Sequence, residues 1–248
     1  MEISGRLADC RCAFEAIFNF SDSNSDTSGF WAAFPAQSGP YGMTYCNALK
    51  INPKTDVHNT KEDNIFHKSE YSYKMYYMLT TKANALRAYN FPSQHLKPAG
   101  RATDGRLMID FLAQALGLPF LSPYLQSIGS NYRHGANFAT SASTVLPPKS
   151  SLFASRLSPF DLAIQLNQMK HFKVKVDEPQ SNGSNNLPQT DIFGKSIFTF
   201  YISQNDFTSD LGSLGLSGSK IMLFKVVSQI VATIKVSIFT DLGFVNIV

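Results

Sequence analysis

Charge is scarce in this 248-residue chain: Asp, Glu, Lys and Arg make up 16% of it, against about a quarter of an average soluble protein. The 22 basic and 18 acidic residues leave a balance of +4. No clustered basic face accompanies that balance, so a nucleic acid is not an expected partner. Cysteine is scarcer still. Cys10, Cys12 and Cys46 cannot build a disulfide framework, Cys10 and Cys12 lie too close together to bridge without strain, and no CxxC or Cys/His spacing suggests structural zinc. The chain lacks an uninterrupted run of 18 apolar residues, so no membrane-spanning segment is expected. Glu2, Arg6, Asp9 and Arg11 stand where a secretory signal would carry its apolar stretch, and no signal peptide is visible.

What the chain does have is apolar and aromatic mass: 44% hydrophobic residues, 20 Phe and 10 Tyr, punctuated by 15 Gly and 12 Pro. That excludes a disordered tail and suits one large, turn-rich domain. The first ordered signal is Ala16-Ile17-Phe18-Asn19-Phe20, a buried strand stopped by the polar run Ser21 to Gly29. Apolar residues at Leu107, Met108, Phe111, Leu112, Ala115 and Leu116 predict an amphipathic helix from Thr103 or Asp104 to Leu116, closed by Gly117. Ala136 to Thr140 reads as a second strand. Ser158-Pro159-Phe160-Asp161 opens a second helix, with Ser158 as cap and a stripe at Leu162, Leu166, Met169, Phe172 and Val176.

Pro179 to Pro188 reads as a surface loop, holding the glycosylation acceptor Asn182-Gly183-Ser184. Ser196 to Ser203 is the third strand, and Phe224, Val227, Val231 and Ile234 mark a third helix. Gly212, Gly215 and Gly218 imitate a phosphate loop, but without Gly-Lys-Ser/Thr or a preceding strand they read as a loop before that helix. Alternating strands and helices predict an α/β fold, a parallel sheet with helices on both faces. Segment 47–96 fits neither period and reads as an irregular insertion.

Chemistry concentrates at three strand ends. Ser23, on the turn after the first strand, is placed as an exposed nucleophile; the same run also suits an Asx-turn or a helix cap. Gly135-Ala136-Asn137-Phe138-Ala139 leads into Thr140-Ser141-Ala142-Ser143, whose backbone N–H groups can turn toward a ligand, and Gln204-Asn205-Asp206 supplies an amide after the third strand. A hydroxyl and amide donors converging at one sheet edge are what acyl transfer needs.

These blocks resemble the plant GDSL-type esterase/lipases of the SGNH hydrolase superfamily. FSDSNSDT is similar to their FGDSxSDTG block, GANFAT to GxNFA, SQND to GxND, and KPAGRATDGRLMIDFLAQALGLPFLSPYL to the stretch between them, over residues 14–46 and 97–235. The resemblance implies a three-layer, flavodoxin-like sheet of order 2-1-3-4-5, a small ester substrate, no cofactor or metal, and a secreted or endomembrane setting. It makes Ser23 the nucleophile, Asn205 the side-chain oxyanion donor, Ala142 the backbone donor and Gly135 the glycine of that block.

Departures from the family matter as much. Ser21 and Ser203 stand where relatives have glycine, so their side chains are expected to strain the backbone. The Asp-x-x-His block, which resemblance would make the general base and its orienting partner, is absent: none of His58, His67, His95, His134 and His171 has an acid three residues before it. Loss of the base from such a triad costs about 10⁶ in kcat, leaving about 10³–10⁴ over water. This predicts a weak or inactive ester hydrolase; a non-catalytic truncated product, pseudoenzyme or binding module is the alternative. Resemblance lapses at 47–96 and 236–248, as translated intron sequence would make it. An incomplete C-terminal half is expected to leave the third strand as an apolar edge, prone to self-association.

Overall fold

The computed structural model describes residues 14–34, 100–126, 128–149, 157–178, 186–209, 211–239 and 246–247. The proposed insertion at 47–96, all three cysteines and the Asn182 acceptor lie outside them.

Strand β1 (Ala16–Ser21) is buried over its whole length, as a central strand covered on both faces must be. Parallel partners flank it, β2 (Gly135–Asn137) on one side and β3 (Ser196–Tyr201) on the other, and β4 (Asn246–Ile247) continues beside β3, giving the order β2-β1-β3-β4. The register sets Phe18 beside Ala136 and Phe198, and Asn19 beside Asn137 and Thr199. Alternation along the strand divides the core in two. Ala16, Phe18 and Phe20 face a cluster that contains Leu162, Leu166, Met169, Phe172 and Val176 of helix α3 (Leu162–Asp177). Ile17 and Ile197 face the opposite way, onto Ile109 and Ala113 of helix α2 (Met108–Ala115). Helices on both faces of a parallel sheet make the α/β class; the predicted stripe of α3 is the buried one.

Several details depart from the sequence reading. β2 spans Gly135–Asn137 rather than 136–140: the Phe138 and Thr140 N–H groups still donate to Asn19 O and Ser21 O of β1 at 2.8 and 3.4 Å, but the Ser21 N–H turns to Gln165 Oε1 and the ladder ends there. α2 starts at Met108, not at 103 or 104, where Asp110 accepts the Leu107 N–H at 2.8 Å. Asp110 also pairs with Arg101, both side chains buried. That pair turns the helix so that Ile109 and Ala113 are buried while Met108 and Phe111 are half exposed; the Arg106 guanidinium lies 4.1 Å over the Phe111 ring. The cap of α3 is Asp161, whose carboxylate accepts Ile164 N–H, and not Ser158. Ser158 instead is buried and accepts Phe160 N–H at 3.1 Å.

A short helix α1 (Gly29–Ala33) follows β1, and after β3 come the short helix α4 (Gln204–Thr208) and the long helix α5 (Leu211–Phe239). The expected glycine loop is part of α5, which breaks at Gly215 (φ 55). Its expected stripe is on the wrong side: Phe224, Val227 and Val231 are 76%, 49% and 42% exposed, while Val226 and Thr233 are buried and Met222 and Ile230 pack on the core. Residues apolar on every side give a periodicity with no preferred face. The stretch Leu214–Lys235, of mean hydropathy 1.3, is long and apolar enough to cross a membrane by length and composition, which the count of uninterrupted apolar residues missed. Val226 nevertheless joins the main core. The third strand is not a bare edge either, since β4 pairs with Ile197 and Phe198.

Candidate active site

β1 ends at Ser21, and the chain turns through Asp22, the Ser25 N–H donating to Asp22 O at 3.2 Å. Ser23 lies half-buried within that turn, and its hydroxyl has no hydrogen-bond partner among the described residues. Asp22 shapes the turn: its Oδ1 accepts the Asn24 N–H at 3.0 Å and the Asn24 side-chain amide at 2.7 Å. Burial pushes the Asp22 carboxyl above its ordinary range, opposed by those bonds and reinforced by the neighbouring Asp206 charge.

Asn205 sits in the first turn of α4, where the β3 chain reverses at Ser203 with φ 134. Its Nδ2 donates to Ser143 O at 2.8 Å and lies 3.5 Å from Asp22 Oδ2. Asn24 Nδ2 donates to Gln204 Oε1 at 3.3 Å. The residues on either side of Ser23 thus touch Gln204 and Asn205. The loop after β2 completes the rim. Ala142 adopts φ 63, a left-handed conformation that suits glycine, and its N–H has no partner among the described residues. A cleft of about 220 Å³ opens beside the turn, lined by Asp22, Asn24, Phe200, Tyr201, Ser203 and Gln204 among others.

Gly135 is elsewhere. It lies opposite Ile17, below the rim, and its N–H donates to Tyr132 O at 3.0 Å. With φ 103 and a Cβ that would stand 1.8 Å from Ile17 O, it is glycine for close strand approach and not for oxyanion binding. Ser21, expected to be strained, has no positive φ; its hydroxyl donates to Tyr201 O at 2.6 Å. The strain falls on Ser203, as expected, and on Ala142 and Ser28. His134 binds Glu15 O through Nδ1 at 2.9 Å, at the start of β1 and the far end of the sheet from Ser23. His171 is exposed on α3, six residues beyond the Gln165 that reaches Ser21, about 9 Å along the axis. The other three histidines lie outside the described residues. Among the described residues, no group of three or more His, Cys, Asp or Glu is placed to hold a metal ion.

Five buried residues to which sequence reasoning gave no role hold this rim. Asn19 donates to Asn137 Oδ1 at 2.7 Å and accepts from Thr199 Oγ at 2.7 Å, a polar rung across three strands. Asn137 Nδ2 then donates to Ser25 O at 2.6 Å and Thr27 Oγ1 at 2.9 Å, anchoring the Ser23 turn. Gln165 clasps Ser21, accepting its N–H at 3.0 Å and donating to its carbonyl at 2.8 Å. Asp26 and Asp206, each hydrogen-bonded to the loop that carries Ala142, are also raised above the usual carboxylate range by burial. The available signal was polarity out of place: Asn19 inside an apolar strand, Gln165 beside an apolar stripe.

A profile for GDSL-like lipase/acylhydrolase matches residues 17–234. A GDSL esterase/lipase of Arabidopsis thaliana is 54% identical over 234 residues, 93% of this chain and 48% of the relative. An esterase of Hevea brasiliensis is 34% identical over 228 residues, 90% of this chain and 46% of its own length. A protein of Arabidopsis thaliana named alpha-L-fucosidase 3 is 37% identical over 202 residues, 80% of this chain and 41% of that protein. The chain therefore spans about half the length of the curated relatives it matches. No solved structure matches it.

Proposed function

The chain belongs to the GDSL-like lipase/acylhydrolase family, a family of carboxylic ester hydrolases, and from that premise we propose that it carries a serine acyl-transfer site. Ser23 Oγ attacks the ester carbonyl carbon as its proton passes to water, and the carbonyl electron pair moves onto oxygen. Asn205 Nδ2 and the Ala142 N–H receive that oxyanion; collapse expels the alkoxide, which takes up a proton, and water then releases the acyl group from Ser23. The observation that carries the reading is the tie from Asn205 Nδ2 to Ser143 O at 2.8 Å. It holds the side-chain donor against the residue next to Ala142, whose N–H has no partner among the described residues. A small carboxylic ester, from a lipid or an acylated metabolite, is the proposed substrate, and a secreted or endomembrane setting follows by family.

Slow turnover by this chain is part of the proposal, and a non-catalytic pseudoenzyme or binding module is the second reading. Labelling with a fluorophosphonate decides between them. There Ser23 oxygen bonds to phosphorus, fluoride leaves with its electron pair, and the hydroxyl proton passes to solvent. Wild-type protein labelled at Ser23 and Ser23→Ala left unlabelled support catalysis; folded wild type that stays unlabelled supports the second reading. For partners, we propose self-association through the exposed apolar face of α5.

A further inference from the structure

The loop after β2 is held at both ends by buried carboxylates from two other strand ends. At its start, Asp26 Oδ2 accepts Ser141 N–H at 2.6 Å and the Ser141 hydroxyl at 2.7 Å, while its Oδ1 accepts Ser28 and Gly29 N–H at 3.0 and 2.6 Å. At its far end, Asp206 Oδ2 accepts Val145 N–H at 2.8 Å and Oδ1 accepts Leu146 N–H at 2.9 Å. Asp206 directly follows Asn205, whose amide holds Ser143 O. Residues 141, 143, 145 and 146 are pinned, and they bracket Ala142, whose φ of 63 needs support from its surroundings.

A buried carboxylate is a poor choice for stability alone, since it loses hydration that only several hydrogen bonds offset. Here the bonds that offset it converge on one short loop. An Asp offers two acceptor oxygens with no donor between them; an Asn of the same shape would accept one N–H and turn its NH₂ against the other.

We propose that Asp26 and Asp206 are positioning residues for acyl transfer at Ser23, clamping the 141–146 loop so that the Ala142 N–H and Asn205 Nδ2 stay aimed at one point. Neither touches the reacting atoms. The inference rests on the ester-hydrolase reading above and extends it to groups that act through the loop.

The test uses the full chain and a fluorophosphonate at graded concentrations, with mass-spectrometric readout at Ser23, hydrogen exchange at Val145 and Leu146, and thermal melting. Asp206→Asn is expected to lower the maximal labelling rate about 10- to 100-fold, to leave the half-saturating concentration within about twofold, and to speed exchange at both amides. Ser141→Ala removes one bond to Asp26 and no core contact; it is expected to lower the rate several-fold with melting unchanged, and it decides the matter if Asp206→Asn does not fold. An unchanged maximal rate in folded variants, or a loss confined to the half-saturating concentration, overturns the inference. Wild type unlabelled at Ser23 overturns the ester-hydrolase reading and this inference together, whereas labelled wild type with indifferent variants overturns the inference alone.

Discussion

Two non-glycine residues beside the candidate site hold backbone conformations that side chains resist. Ser203, at φ 134, turns β3 into the residues before Asn205, and Ala142, at φ 63, presents its N–H. Left-handed backbone costs an L-residue about 1–2 kcal/mol, so Ser203→Gly is expected to raise stability by about 1 kcal/mol, read as a higher midpoint in urea with an unchanged slope. A second expectation concerns protons. Asp22, Asp26 and Asp206 are all raised from 3.8, burial being the largest cause in each. The folded protein therefore holds these protons more tightly than the unfolded chain, so their stabilising contribution is complete below 3.8 and is lost as pH rises through the raised folded values. Asp22→Asn removes one share of that loss. Its melting temperature should gain on wild type as pH rises through this window, and a constant difference would contradict the assignment.

At the scale of elements, legibility followed polar contrast. α3 was readable because its apolar positions recur against a polar background, and Phe172, Met169 and Leu166 are buried as the stripe requires. β1 and β3 were readable because polar turns stop them abruptly. α5 was misread by face because Phe224 and Val226 are equally apolar, and only the docking of Val226 on the core distinguishes them. α2 was misread because an Arg101–Asp110 pair 9 residues apart outweighs its local periodicity. At the site, Ser23, Asn205 and Ala142 stood in motif blocks, whereas Asp26, Gln165 and Asn137 act through partners 110 to 144 residues distant. No local pattern encodes such a pairing. Gly135 shows the converse: its motif suggested chemistry, and strand packing explains it.

For the molecule as a whole, the exposed face of α5 is the surface with the largest consequence. Leu216, Ile221, Leu223 and Phe224 are all more than half exposed, and contiguous apolar surface of this kind drives association. Wild type is expected to sediment as oligomers or aggregates at micromolar concentration, and Phe224→Lys combined with Val231→Lys to shift it toward monomer with its melting temperature preserved. Monomeric wild type in sedimentation velocity would remove the proposed self-association. Val226→Lys, in the core, should instead unfold the protein, which separates the two faces of one helix.

The sheet's central strand comes first in the chain and its neighbours come late. Asn19 and Thr199 are 180 residues apart, and Asn19 and Asn137 are 118. A ribosome adding about 5–20 residues each second leaves β1 waiting roughly 10–35 s for β3 to emerge. Throughout that interval Phe18 and Phe20 are on offer to any holdase nearby, so a holdase present during synthesis is expected to raise the yield of folded protein.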